Sequence, residues 1–206
     1  MQSYHTLGGP AEASVTEKKS EFIASAAPAA TEEEALAFLE KIRAGHRTAS
    51  HNVYAYSLRE NARRRYSDDG EPQKTAGLPV LEVITHKPVE DCIIVVTRYF
   101  GGTLLGTGGL VRAYTAAAQA VLQQAEILTV RLCISLTLAI EYPLLETALR
   151  LFADTGAKLD EPLYAEAVTL CAVLPAGAEA ALLPKLDALC RGQANVTVGT
   201  PFYTPF

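Results

Sequence analysis

The hydrophobic and polar positions along the chain divide into short alternating runs and longer stretches of helical period. Residues 11–28 carry Val15, Phe22 and Ile23 on either side of the polar link Glu17-Lys18-Lys19-Ser20, which predicts two strands joined as a hairpin. Thr31 and Glu34 then form a T-x-x-E capping pattern, with Glu32 and Glu33 at the positive end of a helix dipole. Ala35, Phe38, Leu39 and Ile42 follow at i, i+3, i+4 and i+7 and predict one buried helix face, with Lys41 and Arg43 at the far end and Gly45 as the stop. Val53 to Leu58 alternates as a strand. Arg59 to Arg65 is polar and basic and predicts an exposed hairpin or loop. Pro79 fits the first turn of a short helix through Ile84. Cys92 to Thr97 is a continuous β-branched run and predicts a central strand buried on both faces. Leu110 to Ala125, rich in Ala, Leu and Gln, predicts a helix after a glycine-rich loop.

A second series follows a boundary near Glu126 to Thr129. It consists of a strand over Val130 to Glu141, a helix over Pro143 to Ala153 stopped by Gly156, and a strand near Lys158 and Leu159. A strand over Ala165 to Leu174, a helix over Ala178 to Cys190 and a last strand over Asn195 to Val198 complete it. The order β-α-β-β-α-β is the ferredoxin-like arrangement. The expectation is therefore an α+β protein of two domains, residues 1–128 and 129–206.

Composition narrows the function classes. Hydrophobic residues make up 49% and charged residues 20%, ordinary for a soluble globular protein. No apolar run reaches the roughly 18 residues of a membrane helix, and Met1 to Pro10 lacks the basic start and apolar core of a signal peptide. A cytoplasmic protein without a membrane partner is expected. Cys92, Cys133, Cys171 and Cys190 are far apart and form no C-x-x-C pair, so they read as small core residues. The net charge is −5, and 13 of the 18 basic and 15 of the 23 acidic residues precede Leu128. Neither half is basic as a whole, so binding to nucleic acid would need a local patch.

Candidate chemistry concentrates between Ser67 and Tyr114. Seven of the 14 glycines, Gly70, Gly77, Gly101, Gly102, Gly106, Gly108 and Gly109, lie there. Such density points to unusual dihedrals or a close approach of something to the backbone. A strand ending at Arg98, a glycine loop and a helix start can present free amides and a helix dipole to an anion. Arg98 and Arg112 would add contacts to phosphate or carboxylate. No Lys-Ser or Lys-Thr closes the loop as in a Walker motif, and Val111 stands where a dinucleotide fingerprint needs glycine. A tight loop packed on its own domain fits the same pattern. Asp68, Asp69 and Glu71 have three open roles: metal ligand, base, or turn former paired with Arg98 and Arg112. Their spacing does not specify a cation. His51 opens the tyrosine strand and would face the same cleft, although none of the four histidines has a metal-site spacing. Tyr54, Tyr56, Tyr66, Tyr99, Phe100 and Tyr114, with Arg63 to Arg65, would supply stacking surfaces for single-stranded bases, or else core aromatics beside a solvated arginine run.

These residues resemble the signature of the YigZ/IMPACT family. The likeness runs through His51-Asn52-x-Tyr54-Ala55-Tyr56, Asp68-Asp69-Gly70-Glu71-Pro72, Thr75-Ala76-Gly77-x-Pro79, Arg98-Tyr99-Phe100-Gly101-Gly102, Leu105-Gly106 and Gly108-Gly109-Leu110-x-Arg112-Ala113-Tyr114. It covers residues 15–125, and the length resembles the bacterial two-domain YigZ form. Gln73-Lys74 departs from the family pattern, where small residues are commoner. The resemblance implies an N-terminal domain like the second domain of the fifth small-subunit ribosomal protein, of the left-handed βαβ type. It also implies a C-terminal ferredoxin-like domain similar to the last domain of elongation factor G. The first functional reading is a non-enzymatic protein whose cleft, lined by Arg98, Arg112, the glycine loop and Arg63 to Arg65, binds RNA or a ribosome-associated partner in translation or stress regulation, without cofactor or metal. Eukaryotic relatives are linked to translational control, and some members carry a dipeptidase label whose metal ligands this chain does not supply. Two other readings stay open. One is an enzyme acting on a phosphorylated or carboxylated small anion held at the glycine loop. The other is protein docking through the ferredoxin-like domain.

Overall fold

The computed structural model describes residues 3–206; the first two residues of the expected N-terminal domain lie outside the described residues. The chain divides into two compact units, Tyr4–Thr129 and Val130–Phe206, each with its own hydrophobic core.

In the first unit, β1 (Tyr4–Leu7) precedes the hairpin β2 (Ala11–Glu17) and β3 (Ser20–Pro28), joined at Lys18 and Lys19 as the polar link predicts. Helix α1 (Glu32–Gly45) is capped by Thr31, whose Oγ1 accepts from the Glu34 amide at 3.2 Å. Strand β4 (His51–Leu58) turns through a 3₁₀ segment into β5 (Arg63–Ser67), so the basic stretch forms the turn and the start of the second strand of an exposed hairpin, one of the two expected forms. Helix α2 (Gly77–His86), strand β6 (Cys92–Tyr99) and helix α3 (Gly106–Gln124) complete the unit. The sheet order is β2-β3-β6-β4-β5, antiparallel throughout, with β6 in the middle as its β-branched run predicts.

Period-2 alternation on β6 sorts its side chains onto two layers. Cys92, Ile94 and Val96 enter the core beneath α2 and α3, and Ile93 and Val95 enter the core beneath α1. Arg98 continues the first series and so points to the α3 side of the sheet. The register sets His51 of β4 and Phe22 of β3 directly opposite it, making one row across the end of the sheet.

In the second unit, β7 (Ile127–Ile140) starts three residues before the expected strand and runs across the division between the units. A 3₁₀ turn and α4 (Leu145–Ala153), β8 (Lys158–Leu159), β9 (Leu163–Tyr164), β10 (Val168–Pro175), α5 (Glu179–Leu189), β11 (Asn195–Val198) and β12 (Phe202–Pro205) follow. The antiparallel order β8-β10-β7-β11 is that of a ferredoxin-like sheet. Strands β1, β9 and β12 have no counterpart in the sequence reading; they are only two to four residues long, and Pro201 precedes β12 while Pro205 ends it. All four cysteines are free thiols, Cys92 and Cys133 buried. No helix among the described residues is long and apolar enough to cross a membrane.

Candidate functional site

The row at the end of the first sheet becomes a site because two further segments fold over it. The acidic turn between β5 and α2 brings in Glu71, and α3 brings in Tyr114. Glu71 is 8% exposed, and its Oε1 accepts from Arg98 Nη1 at 2.6 Å and from the Tyr114 hydroxyl at 2.8 Å. Arg98 is 6% exposed. Phe22 and Phe100 place their ring centres 5.4 Å and 5.6 Å from the guanidinium carbon, and Phe22 meets Tyr114 edge-on at 5.1 Å. A buried ion pair of this kind is held by geometry and by the hydrogen bonds around it. Arg98 Nε is buried and has no hydrogen-bond partner among the described residues.

His51 Nδ1 lies 2.8 Å from the carbonyl oxygen of Asp69. A carbonyl only accepts, so Nδ1 donates, and in the neutral ring Nε2 carries the lone pair. Nε2 stands 3.9 Å from Glu71 Oε1. Burial, then the charge of Glu71, pushes the Tyr114 hydroxyl well above its ordinary range. A folded-state value raised above the unfolded one contributes stability below about pH 10, and that stability is lost as the pH climbs above it. Tyr114→Phe is therefore expected to flatten the alkaline part of a stability-versus-pH curve above about pH 10, as read by chemical denaturation.

These groups border a cavity of about 520 Å³ lined by Ser50, His51, Glu71, Pro72 and Arg98, by Phe100, Leu104 and Leu105, and by Gly106, Thr107 and Leu110 at the start of α3. Helix α3 begins at Gly106, four residues before the predicted start, so Gly106, Gly108 and Gly109 form its first turn and not a loop. No side chain caps it at Leu105. Its first amides have no intrahelical acceptor and stand at the cavity wall with the positive end of the dipole. Gly102 (φ +81°) and Gly106 (φ +70°) turn the chain into that position.

Other expected members of the site have different tasks. Asp68 is a loop organiser: its carboxylate accepts from the amides of Lys74, Ala76 and Gly77 at 2.9, 3.1 and 2.8 Å. Asp69 accepts from the Asn52 amide at 2.6 Å and pairs with Arg43 at 3.3 Å. The expected pairing with Arg98 and Arg112 is met by neither: Asp69 pairs with Arg43, and Asp68 accepts from main-chain amides. Gly70 (φ +88°) lets the turn reach His51. The Gly101 amide donates to Ser20 Oγ at 3.1 Å and is already satisfied. Arg112 is exposed and does not line the cavity, because four residues past Gly108 it rises on the outer side of α3. Arg63 and Arg65 pair with Glu32, and Arg64 with Glu90 at 3.0 Å, away from the cavity. Tyr54 and Tyr56 stack on one another in the α1 layer, and Tyr99 bonds His46 at 2.9 Å. Of the expected stacking aromatics, Phe100 alone lines the cavity. The sequence reading missed the apolar wall of Pro72, Leu104, Leu105 and Leu110. Its one signal was Leu104-Leu105 between glycines, and Leu104 is 83% exposed at the mouth.

A sequence model of the Impact N-terminal domain matches residues 18–122, the segment that carries His51, Glu71, Arg98 and Tyr114. The chain belongs to the IMPACT family. It is 35% identical over 199 residues to the IMPACT family member YigZ of Escherichia coli, a match covering 95% of the chain and 98% of that protein. To the IMPACT family member YvyE of Bacillus subtilis it is 45% identical over 115 residues, 55% of the chain and about half (53%) of that protein. A crystal structure of a hypothetical protein superposes with a TM-score of 0.63 at 34% identity, covering 95% of the chain and 97% of that structure. The matched segment thus contains the whole arginine-glutamate-tyrosine cluster, and the YigZ match extends through the second unit.

Proposed function

We propose that this IMPACT family protein is a non-enzymatic cytoplasmic binding module for RNA in translation or its regulation, and that it seats one nucleotide at the α3 cavity. The observation that carries the reading is the buried Nε of Arg98, without a partner among the described residues, in the lining that also holds an uncapped helix N-terminus. An unsatisfied buried donor costs about 1–3 kcal/mol, and an anionic ligand at the α3 start, where the dipole favours negative charge, offsets that cost. Phe100, 49% exposed at the mouth, offers a face for a base. The arginine run on β5 is engaged with Glu32 and Glu90. Binding through a long basic track is therefore disfavoured, and recognition concentrates in the cavity.

The salt dependence tests this. Binding of a short single-stranded RNA, followed by fluorescence anisotropy, is expected to fall with log[salt] with a slope of only about −0.7 to −1.4, one or two phosphates. Phe100→Ala and Arg98→Lys are each expected to weaken it while the far-ultraviolet circular dichroism stays native. Undetectable RNA binding, or binding indifferent to both substitutions, refutes the reading.

A further inference from the structure

We propose that the cavity reads a guanine base by its Watson–Crick edge. The inference rests on the reading above that a nucleotide sits at this cavity, and it adds which base. Glu71 accepts both of its bonds on Oε1, from Arg98 Nη1 at 2.6 Å and from the Tyr114 hydroxyl at 2.8 Å. Among the described residues that are not exposed, Arg98 Nε is the one side-chain nitrogen or oxygen both sealed from solvent and without a hydrogen bond. Glu71 Oε2 and Arg98 Nη2 have no hydrogen bond among those residues either, so both atoms reach solvent, and both residues line the cavity. His51 lines it too, and its neutral ring keeps an acceptor at Nε2 because Nδ1 donates to the Asp69 carbonyl at 2.8 Å. His51 Nε2 lies 3.9 Å from Glu71 Oε1, and Arg98 Nη1 approaches the same oxygen. Glu71 is the member the other two share, so the series runs acceptor, acceptor, donor. Guanine presents the complement along one edge: the N2 amino donor, the N1 donor and the O6 acceptor. Adenine and cytosine place an acceptor beside their amino group, and uracil holds one donor between two acceptors. The charge balance agrees. Glu71 and Arg98 cancel, so a neutral edge that donates and accepts fits where an anion would meet the carboxylate and a cation the guanidinium. The base, and not the phosphate, then meets this cluster. Pro72, Phe100, Leu105 and Leu110 supply apolar surface for its faces, and about 520 Å³ is within the ordinary range for small-molecule sites.

The test uses the full chain and short labelled uridine strands that carry one guanine, inosine, adenine or cytosine at the same position. The guanine strand is expected to bind roughly ten-fold or more tightly than the adenine, cytosine and all-uridine strands. Inosine, which lacks only the N2 amino group, should lose most of that advantage, and 7-deazaguanine, whose Watson–Crick edge is intact, should keep it. Guanosine 5′-monophosphate should raise the melting temperature more than inosine or adenosine 5′-monophosphate at equal concentration. His51→Phe keeps a ring but removes the Nε2 acceptor, so it should bind the guanine and inosine strands equally. The inosine comparison on the unsubstituted protein stands whether or not that variant folds. Equal binding of the guanine and inosine strands by the unsubstituted protein overturns the edge reading, and equal binding of all the strands does so while leaving RNA binding intact. A melting shift specific to guanosine 5′-monophosphate without binding of any RNA upholds the guanine site and overturns the RNA reading. No response to RNA or to nucleotide overturns both.

Discussion

Arg98→Ala is expected to destabilise the protein by about 3–5 kcal/mol, seen as an earlier denaturant midpoint. The cost comes less from the lost side chain than from what it leaves behind. Glu71 would remain buried with one neutral donor, Tyr114, at 2.8 Å. A buried carboxylate without its cation forfeits solvation and gains nothing in return. The cause can be separated from simple packing loss. Arg98→Met with Glu71→Gln removes both charges at similar volume, and replacing a buried pair in this way is often close to neutral. The double variant should therefore recover most of the stability that either single variant loses. If it is as unstable as Arg98→Ala, packing sets the cost and the pair is incidental. The same reasoning explains why Arg98→Lys, not Arg98→Ala, is the variant to use in binding experiments.

Most of the fold could be read from local patterns. The hairpin over residues 11–28, the Thr31 cap, the central β6 and the β-α-β-β-α-β order all rest on periodicity and capping, which neighbouring residues determine. The site was legible as a region and not as a geometry. Glycine density located it, but spacing does not say which face an arginine takes. Arg98 turns inward because β6 alternates strictly, with Cys92, Ile94 and Val96 on the same side. Arg112 turns outward because α3 starts at Gly106 and its own 3.6-residue period carries position 112 away from the sheet while Leu110 and Tyr114 face it. The early helix start was hidden by three glycines, poor helix formers whose place in the first turn is fixed by tertiary context. The acidic turn was ambiguous for a similar reason. Whether Asp68, Asp69 and Glu71 face solvent or amides depends on a loop whose shape is set by Gly70 and by the close approach of Gly77 to the Ser67 carbonyl.

Gly101→Ala should be the most damaging of the glycine substitutions in this region, about 4 kcal/mol or more, at the upper end of single-residue effects. A Cβ at Gly101 would lie 2.0 Å from the Lys19 carbonyl carbon and 2.4 Å from the Ser20 nitrogen, both backbone atoms that no rotamer change can move. Those atoms belong to the β2–β3 turn, where Lys18 and Lys19 already hold φ of +45° and +68°. Ser20 is fully buried and fastens the turn to the loop through its hydroxyl. Alanine must push the hairpin turn off the loop that leads into α3, so the damage falls on the core edge around Phe22 and on the cavity together. Neighbouring glycines calibrate the result. Gly102 has open space around it and φ of +81°, so Gly102→Ala meets only left-handed backbone strain, about 1–2 kcal/mol. Gly108, exposed in the first turn of α3 with Arg112 Nη1 at 3.6 Å, should tolerate alanine or gain up to about 1 kcal/mol of helix propensity. The expected order of melting temperatures is Gly108→Ala at or above wild type, Gly102→Ala slightly below, and Gly101→Ala lower by more than about 10 °C. A Gly101→Ala protein melting with Gly102→Ala would mean that the hairpin turn yields freely, and that the glycine is there for its dihedrals and not for the contact.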